Sequence, residues 1–199
     1  MCSTAAGPAF EGVGVSCGTP AMRGAIDRVT VVNQSLVPHI IGDGEAQGVC
    51  GSGLIDALIA LSQIEELDST GHLMSGVFQL SDTVQLSQDD IHALLVSKSA
   101  IRSGIDTLLY TAGISANDVD VLCLAGGFGT ALNPHAVSAI GLLPKECCPK
   151  LHNVGNAALR GAMRFLWDAR SLNITKSHKV NLATDAYFAD AFIRNMTLK

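Results

Sequence analysis

Two adjacent glycines, Gly126 and Gly127, follow the apolar run Val121-Leu-Cys-Leu124, and a helix start at Asn133-Pro134 comes next. That spacing predicts a short buried strand delivering bare backbone to a surface. Without Cβ atoms at these positions a flat ligand can lie on the peptide planes, and the chain can take the positive φ that a sharp strand exit often needs. A nucleotide suits such a platform. The plain alternative is a tight β-to-α turn with no ligand.

Two familiar phosphate motifs fail here. Gly127-Phe-Gly129-Thr-Ala-Leu132 starts like a dinucleotide fingerprint, but Leu132 stands where a third glycine or alanine should let helix and strand pack closely. No loop ends in Gly-Lys-Ser or Gly-Lys-Thr, which disfavours the Walker-type NTPases. A nucleotide would therefore be held by another architecture.

The thiols and imidazoles point to no second chemistry. Cys2, Cys17, Cys50, Cys123, Cys147 and Cys148 form no Cys-x-x-Cys pair and no metal-like Cys/His spacing, so they read as reduced, buried thiols with no iron–sulfur or zinc site. Cys147-Cys148 is the one pair to inspect, but neighbouring residues chelate one metal poorly. The six histidines show no paired ligand spacing, and His135 falls in the first turn of its helix.

With 199 residues, 48% hydrophobic and 16% charged, the chain can bury a sizeable core. Its net charge is -5 and its 13 basic residues form no stripe, so nucleic-acid binding is not expected. No apolar stretch approaches the roughly 20 residues a bilayer crossing needs, and no leader-like N-terminus is visible. The expectation is a cytoplasmic protein without a membrane partner.

The elements that would position the glycine platform can be read from periodicity. Residues 1–24 are dense in Gly, Ala and Ser, suited to close backbone packing. Asp27–Val32 and Val37–Ile41 read as strands of a hairpin. Leu54, Ile55, Leu58, Ile59 and Leu61 recur at helical spacing from Ser52, in a segment closed by Gly71. Ser87-Gln-Asp-Asp90 is a capping-box start for a long helix that Gly113 ends. Its Ile91, Leu94, Leu95, Ala100, Ile101, Ile105 and Leu108 make one apolar face. Asp118–Leu124 is the strand reaching the double glycine, followed by helices over Asn133–Ile140 and Asn156–Trp167. Val180–Ala183 reads as a last strand, and Thr184-Asp185 caps a helix burying Tyr187, Phe188, Phe192 and Met196. The order is mixed α/β.

Several phrases together resemble one family. Cys2-Ser-Thr-Ala-Ala-Gly-Pro-Ala-Phe-Glu-Gly12, Met22-Arg-Gly-Ala-Ile26, Gly48-Val-Cys-Gly-Ser-Gly-Leu-Ile-Asp56, Leu124-Ala-Gly-Gly-Phe-Gly129, Ile140-Gly-Leu-Leu-Pro144 and Gly155-Asn-Ala-Ala-Leu-Arg-Gly-Ala162 are similar to the C-terminal part of the reductive activators of corrinoid proteins. They run in order along nearly the whole chain.

The resemblance implies ATP-driven return of a corrinoid protein from Co(II) to Co(I), with electrons entering through an iron–sulfur domain. The implied fold is an α/β lobe, a mixed sheet with flanking helices, from the two-lobed ATPase fold of actin, sugar kinases and heat-shock chaperones. Residues 1–199 would be the second lobe. The first lobe, the phosphate loops that hold ATP with magnesium, and the iron–sulfur cluster would lie ahead of Cys2. ATPase activity is then expected only alongside that complementary lobe, and the chain alone should be inactive.

Carried over by residue, the resemblance gives Gly126, Gly127, Phe128 and Gly129 to the adenosine. Lys98 and Arg102, four apart on the long helix, would reach adenine or ribose; otherwise they form a solvated stripe. Glu11 sits among apolar and small residues, so a carboxylate buried there would need a partner or a ligand, and it would orient the attacking water or a magnesium shell; otherwise it caps a helix starting near Pro8. Gly155–Gly161 resembles an interlobe connecting helix, where small residues allow close approach. No residue is assigned as a direct metal ligand.

Two rival readings stand beside this one. The chain could be a non-catalytic module that docks the corrinoid protein or forms a homodimer. Gln47-Gly-Val-Cys50 also resembles a papain-type nucleophile region with His135 as its base, but Gly53-Leu54 replaces the expected Cys-Trp and the Cys50–His135 separation falls short of the roughly 130 residues expected.

Overall fold

A computed structural model describes residues 1–42, 44–127, 132–168 and 177–198. Asn33 and Gln34 both take left-handed φ, 50° and 63°, which makes a two-residue turn whose twist suits an antiparallel pair. Around it β1 (Ala25–Val32) and β2 (Ser35–Ile40) form the expected hairpin, with Val32 opposite Ser35. β1 also pairs in parallel with the two-residue β3 (Gly48–Val49), so this sheet is mixed, in the order β2-β1-β3.

From β3 the chain passes directly into α1 (Gly51–Gln63), whose Leu54, Ile55, Leu58 and Leu61 are fully buried where it lies on β1. At about 1.5–3 kcal/mol for each large apolar side chain, that stripe contributes much of the core. The helix does not run to Gly71. Glu65 turns to φ 62°, and continuing would have placed Glu65-Glu66 at the negative end of the helix dipole. Gly71 instead makes a turn over the next helix, where a Cβ would stand 2.1 Å from Leu95 Cδ1.

A short hairpin of β4 (Val77–Gln79) and β5 (Gln85–Ser87) leads into α2 (Gln88–Ala112). The predicted capping box is present at Ser87 and Asp90, and Gly113 ends the helix at φ 67°. Ile91, Leu94 and Leu95 join the α1 core, while Ile101, Ile105 and Leu108 are half-buried. A second buried stripe of Ser99, Ser103, Gly104 and Thr107 receives the C-terminal helix.

Residues 116–118 form a 3-10 turn with its own capping box at Ser115, so the strand expected from Asp118 begins later, as β6 (Leu122–Ala125). It pairs in parallel with β7 (Leu151–Gly155). α3 (Pro134–Ala139) lies between them and α4 (Ala157–Trp167) follows, each started by an asparagine side chain accepting a backbone N–H. β6 is not a buried strand: Cys123 and Ala125 are exposed, which also corrects the expectation of buried thiols throughout.

Val180–Ala183 is not a strand either. Val180 N donates to Met1 O, and Leu182–Thr184 is a 3-10 turn. Asp185 then caps α5 (Ala186–Arg194) by accepting from Phe188 N. Its aromatic side chains are half-buried: Tyr187 stacks on Tyr110 of α2 with ring centroids 4.2 Å apart, while buried Ala191 and Asn195 complete the packing, Asn195 donating to Ser103 and Asp106. No helix among the described residues is long and apolar enough to cross a membrane.

Candidate functional site

Three separate pieces of chain meet at one end of α1. Cys50 is its N-cap, held in extended conformation with its N–H donated to Ile26 O at 3.0 Å, and it supplies no side-chain cap. The first-turn amides of Gly51, Ser52 and Gly53 therefore receive no side-chain acceptor from Cys50. Such a helix start offers oriented N–H groups and a partial positive charge to an anion.

β6 brings the second piece. Gly126 takes φ 97° and donates its N–H to Gly155 O at 2.9 Å, so the strand exit is pinned to β7. Among the described residues, a Cβ on Gly126 or Gly127 would meet nothing within 4 Å. Close packing among the described residues thus does not exclude a side chain at Gly127. Phe128 and Gly129, also expected to touch a nucleotide, lie outside the described residues.

The third piece is the glycine-rich N-terminal segment. Gly7-Pro8 leads into a 3-10 turn, Ala9–Glu11, that closes at Gly12 with φ 79°. Glu11, Thr19, Gly51, Ser52 and Gly127 together line a hollow of about 180 Å³. Glu11 is the one charged side chain among its described lining residues. It is exposed at the hollow's wall, which corrects the expectation of a buried carboxylate in need of a partner. It neither loses its hydration nor depends on a countercharge.

Ser52 links this hollow to a larger one. Its hydroxyl donates to Asp27 O at 2.9 Å, and it also lines a groove of about 440 Å³ with Arg28, Asp56 and Asn133. Burial pushes the Asp56 carboxyl above its ordinary range, against the opposing effects of the Val29 N–H and the Arg28 charge. Glycines at Gly51 and Gly53, and the carboxylate of Asp56 within the same helix, are visible in the sequence. Their grouping around Ser52 is not, because it depends on how α1 sits on β1.

Lys98 and Arg102 do not form a solvated stripe. Lys98 is 1% exposed and donates from Nζ to Thr197 O. Arg102 is paired with Asp106, Nε to Oδ1 at 2.9 Å, and Asp106 Oδ2 in turn accepts from Asn195. Neither residue lines the hollow beside Gly127. Lys98 ties α2 to the C-terminal segment, while Arg102 orients Asp106 and reaches Gly141 O.

Cys50 and His135 are not brought together. Cys50 is buried beside Ser52, Sγ to Oγ 3.4 Å, while His135 lines a different recess with Arg28 and Asp56. All six cysteines are free. Cys147 Sγ donates to Ala116 O and Cys148 Sγ to Pro144 O, so the adjacent pair faces two different carbonyls. Among the described residues no group of three or more His, Cys, Asp or Glu side chains could hold a metal ion.

Comparison with known proteins places this geometry in context. A family model described as the C-terminal domain of RACo, the ASKHA domain, matches residues 1–199. The corrinoid activation enzyme RamQ of Eubacterium limosum is 29% identical over 228 residues, covering 98% of this chain and 38% of the relative. A [Co(II) methylated amine-specific corrinoid protein] reductase of Methanosarcina barkeri is 25% identical over 193 residues, covering 86% of this chain and 36% of that protein. The solved structure of a reductive activator for corrinoid, iron–sulfur protein superposes with a TM-score of 0.85 at 29% identity, over 99% of this chain and 36% of that one. The chain thus spans well under half the length of the proteins it matches.

Proposed function

We propose, from the premise that this chain belongs to the family of RACo C-terminal ASKHA domains and has their actin-like ATPase fold, that it is the nucleotide-binding second lobe of an ATP-dependent reductive activator. The activator returns a corrinoid protein from Co(II) to Co(I), a one-electron reduction, and its partner is that corrinoid protein. The electron comes from an iron–sulfur cluster outside these 199 residues. Supporting this reading are the relatives' roles as corrinoid activators and, within this chain, one observation above the rest. Gly127, the uncapped start of α1 and Glu11 line the same hollow.

The residues present fit ATP. Among the described residues, Gly126 and Gly127 leave room for a planar base or sugar against backbone. The first-turn amides of α1 suit a phosphate, and Glu11 reaches the hollow where magnesium or a water would need a carboxylate. ATP, when bound with magnesium, supplies the free energy for an unfavourable electron transfer. What this chain contributes is binding and orientation; the hollow of about 180 Å³ is small for the whole nucleotide, so a complementary lobe completes the site.

A second reading, a docking or dimerisation module, is favoured by one feature. α4 has no buried residue among those described, and its Leu166 and Trp167 are 82% and 85% exposed. Equilibrium binding of a fluorescent ATP analogue, to the 199 residues alone and to the longer protein carrying the complementary lobe, tests the main reading. Binding by the longer protein that is enhanced by a Co(II) corrinoid protein is expected. Absence of ATP binding by that longer protein would leave the docking role.

A further inference from the structure

Asp90 serves the start of α2, but it accepts more hydrogen bonds than a helix start requires. A capping box needs only the reciprocal pair between the N-cap residue and the third helical residue, here Ser87 and Asp90. Asp90 is 4% exposed and accepts from Ser87 N at 2.9 Å and Ser87 Oγ at 2.7 Å. It accepts two further hydrogen bonds from a distant segment, Ser16 N to Oδ1 at 2.6 Å and Ser16 Oγ to Oδ2 at 2.7 Å.

What Ser16 carries is the wall of the hollow. Just past it, Val49 N donates to Cys17 O at 2.8 Å and Thr19 N donates to Val49 O at 3.0 Å, so residues 17–19 lie along β3. The strand β3 runs directly into Cys50 and α1. On its other side the loop touches Gly12 closely enough that a Cβ on Gly18 would stand 2.2 Å from Gly12 O. Thr19 and Pro20 then line the hollow with Glu11 and Gly127. The loop is held at its glycine contact, at β3 and at Asp90; of these anchors, Asp90 alone is a side chain.

We propose that Asp90 is a positioning residue for the nucleotide hollow: through Ser16 it holds the Cys17–Pro20 wall at the distance from Gly127 that the nucleotide requires. This rests on the nucleotide reading above. An ionised carboxylate suits the task because it offers acceptor sites to four donors at once and donates nothing. Asparagine would turn its amide N–H₂ towards the backbone N–H of Ser16 or of Ser87 and lose that hydrogen bond, and loss of the negative charge weakens the bonds that remain, so both sides of the junction suffer. Burial works against the charge on Asp90, yet the hydrogen bonds from Ser16 and Ser87 outweigh it and keep the carboxyl below its ordinary range.

The two sides of the junction can be separated. In the longer protein carrying both lobes, Ser87→Ala, Ser16→Ala, Asp90→Asn and Gly127→Val are compared by melting temperature and by Kd for a fluorescent ATP analogue. A mere helix cap predicts that all the Asp90-linked variants change only melting. Positioning predicts that Ser87→Ala lowers the melting temperature and leaves Kd alone, while Ser16→Ala raises Kd about threefold or more with little change in melting, on the scale of one hydrogen bond. Asp90→Asn should do both; if it fails to fold, Ser16→Ala decides between the two roles. Weaker binding in Gly127→Val with an unchanged Kd in Ser16→Ala overturns the positioning role and leaves the nucleotide site standing. A parent protein that binds no ATP overturns both.

Discussion

A Cβ on Gly53 would stand 2.3 Å from the carbonyl oxygen of Ile26 and 2.9 Å from Val49 Cγ1. The first turn of α1 therefore rests on β1 and β3 with no side chain between, and this contact sets where the α1 amides lie. Alanine at Gly53 gains roughly 1 kcal/mol of helix propensity but must push the helix off the sheet. The clash is with backbone, so Gly53→Ala should be destabilising by about 1–3 kcal/mol net of that gain. Thermal unfolding of the variant checks it; a melting temperature at or above the parent's would show that α1 can lift without cost.

Gly127 presents the opposite case. Its φ lies outside the left-handed region and a Cβ meets no described atom within 4 Å, so Gly127→Val should fold normally. In the longer protein it should nevertheless weaken ATP binding by about tenfold or more, near 1.4 kcal/mol. Calorimetry on the folded variant decides, and an unchanged affinity removes the double glycine from the site.

Cys50→Ala should leave ATP-dependent activation of the corrinoid protein nearly intact. The thiol is a small apolar filler at the helix start, 3% exposed, and makes only a 3.4 Å approach to Ser52 Oγ. Activity assayed with the longer protein checks this. Loss of activity in a well-folded Cys50→Ala would revive a thiol-nucleophile reading.

Cysteine labelling should follow exposure and burial. Burial, with a smaller contribution from the Asp90 charge, pushes the Cys17 thiol up to about 11, and burial also raises Cys147. Iodoacetamide at pH 8 should mark exposed Cys123 well before either. A raised thiol pKa favours the folded state while the unfolded thiol is still protonated. The Cys17 contribution is thus complete below about pH 9 and lost as pH rises from there towards 11. Mass spectrometry of partly labelled protein gives the order; early modification of Cys17 would contradict it.

Phosphoryl transfer depends on positioning and on stabilising charge at the phosphates. Among the described residues Glu11 is the only charged side chain lining the hollow. The 199 residues alone should bind nucleotide weakly and hydrolyse no ATP. Joined to a complementary lobe they should hydrolyse it, faster with a Co(II) corrinoid protein present. Magnesium-dependent turnover by the purified chain, with contaminants excluded, would overturn the half-site account.

Local signals in the sequence suffice where one residue type decides the outcome. The Ser87-Asp90 box, the Gly113 stop and the asparagines before α3 and α4 each follow from a cap whose chemistry is visible in four or five letters. Lys98 escapes such a reading because helical spacing reports which residues share a face but not what covers that face. Here α5 and the C-terminal segment turn a polar stripe into an interior one. Glu11 departs from expectation for the converse reason: its neighbours are small and apolar, yet the 3-10 turn points it outward. The hollow itself is only half legible. Gly126-Gly127 stands out in the sequence, but the partnership with Ser52 and Thr19 depends on long-range contacts that leave no periodic trace.

The exposed end of α4 has a practical consequence. Trp167 is the sole tryptophan of the chain, and it stands 85% in solvent. These 199 residues therefore carry a single indole fluorophore, located on a helix with no buried residue among those described. Water around an indole shifts its emission to the red, and covering it shifts the emission back. Steady-state fluorescence, with no added label, can thus follow the binding of whatever molecule comes to lie against that helix, and titrating such a molecule would read out its affinity directly.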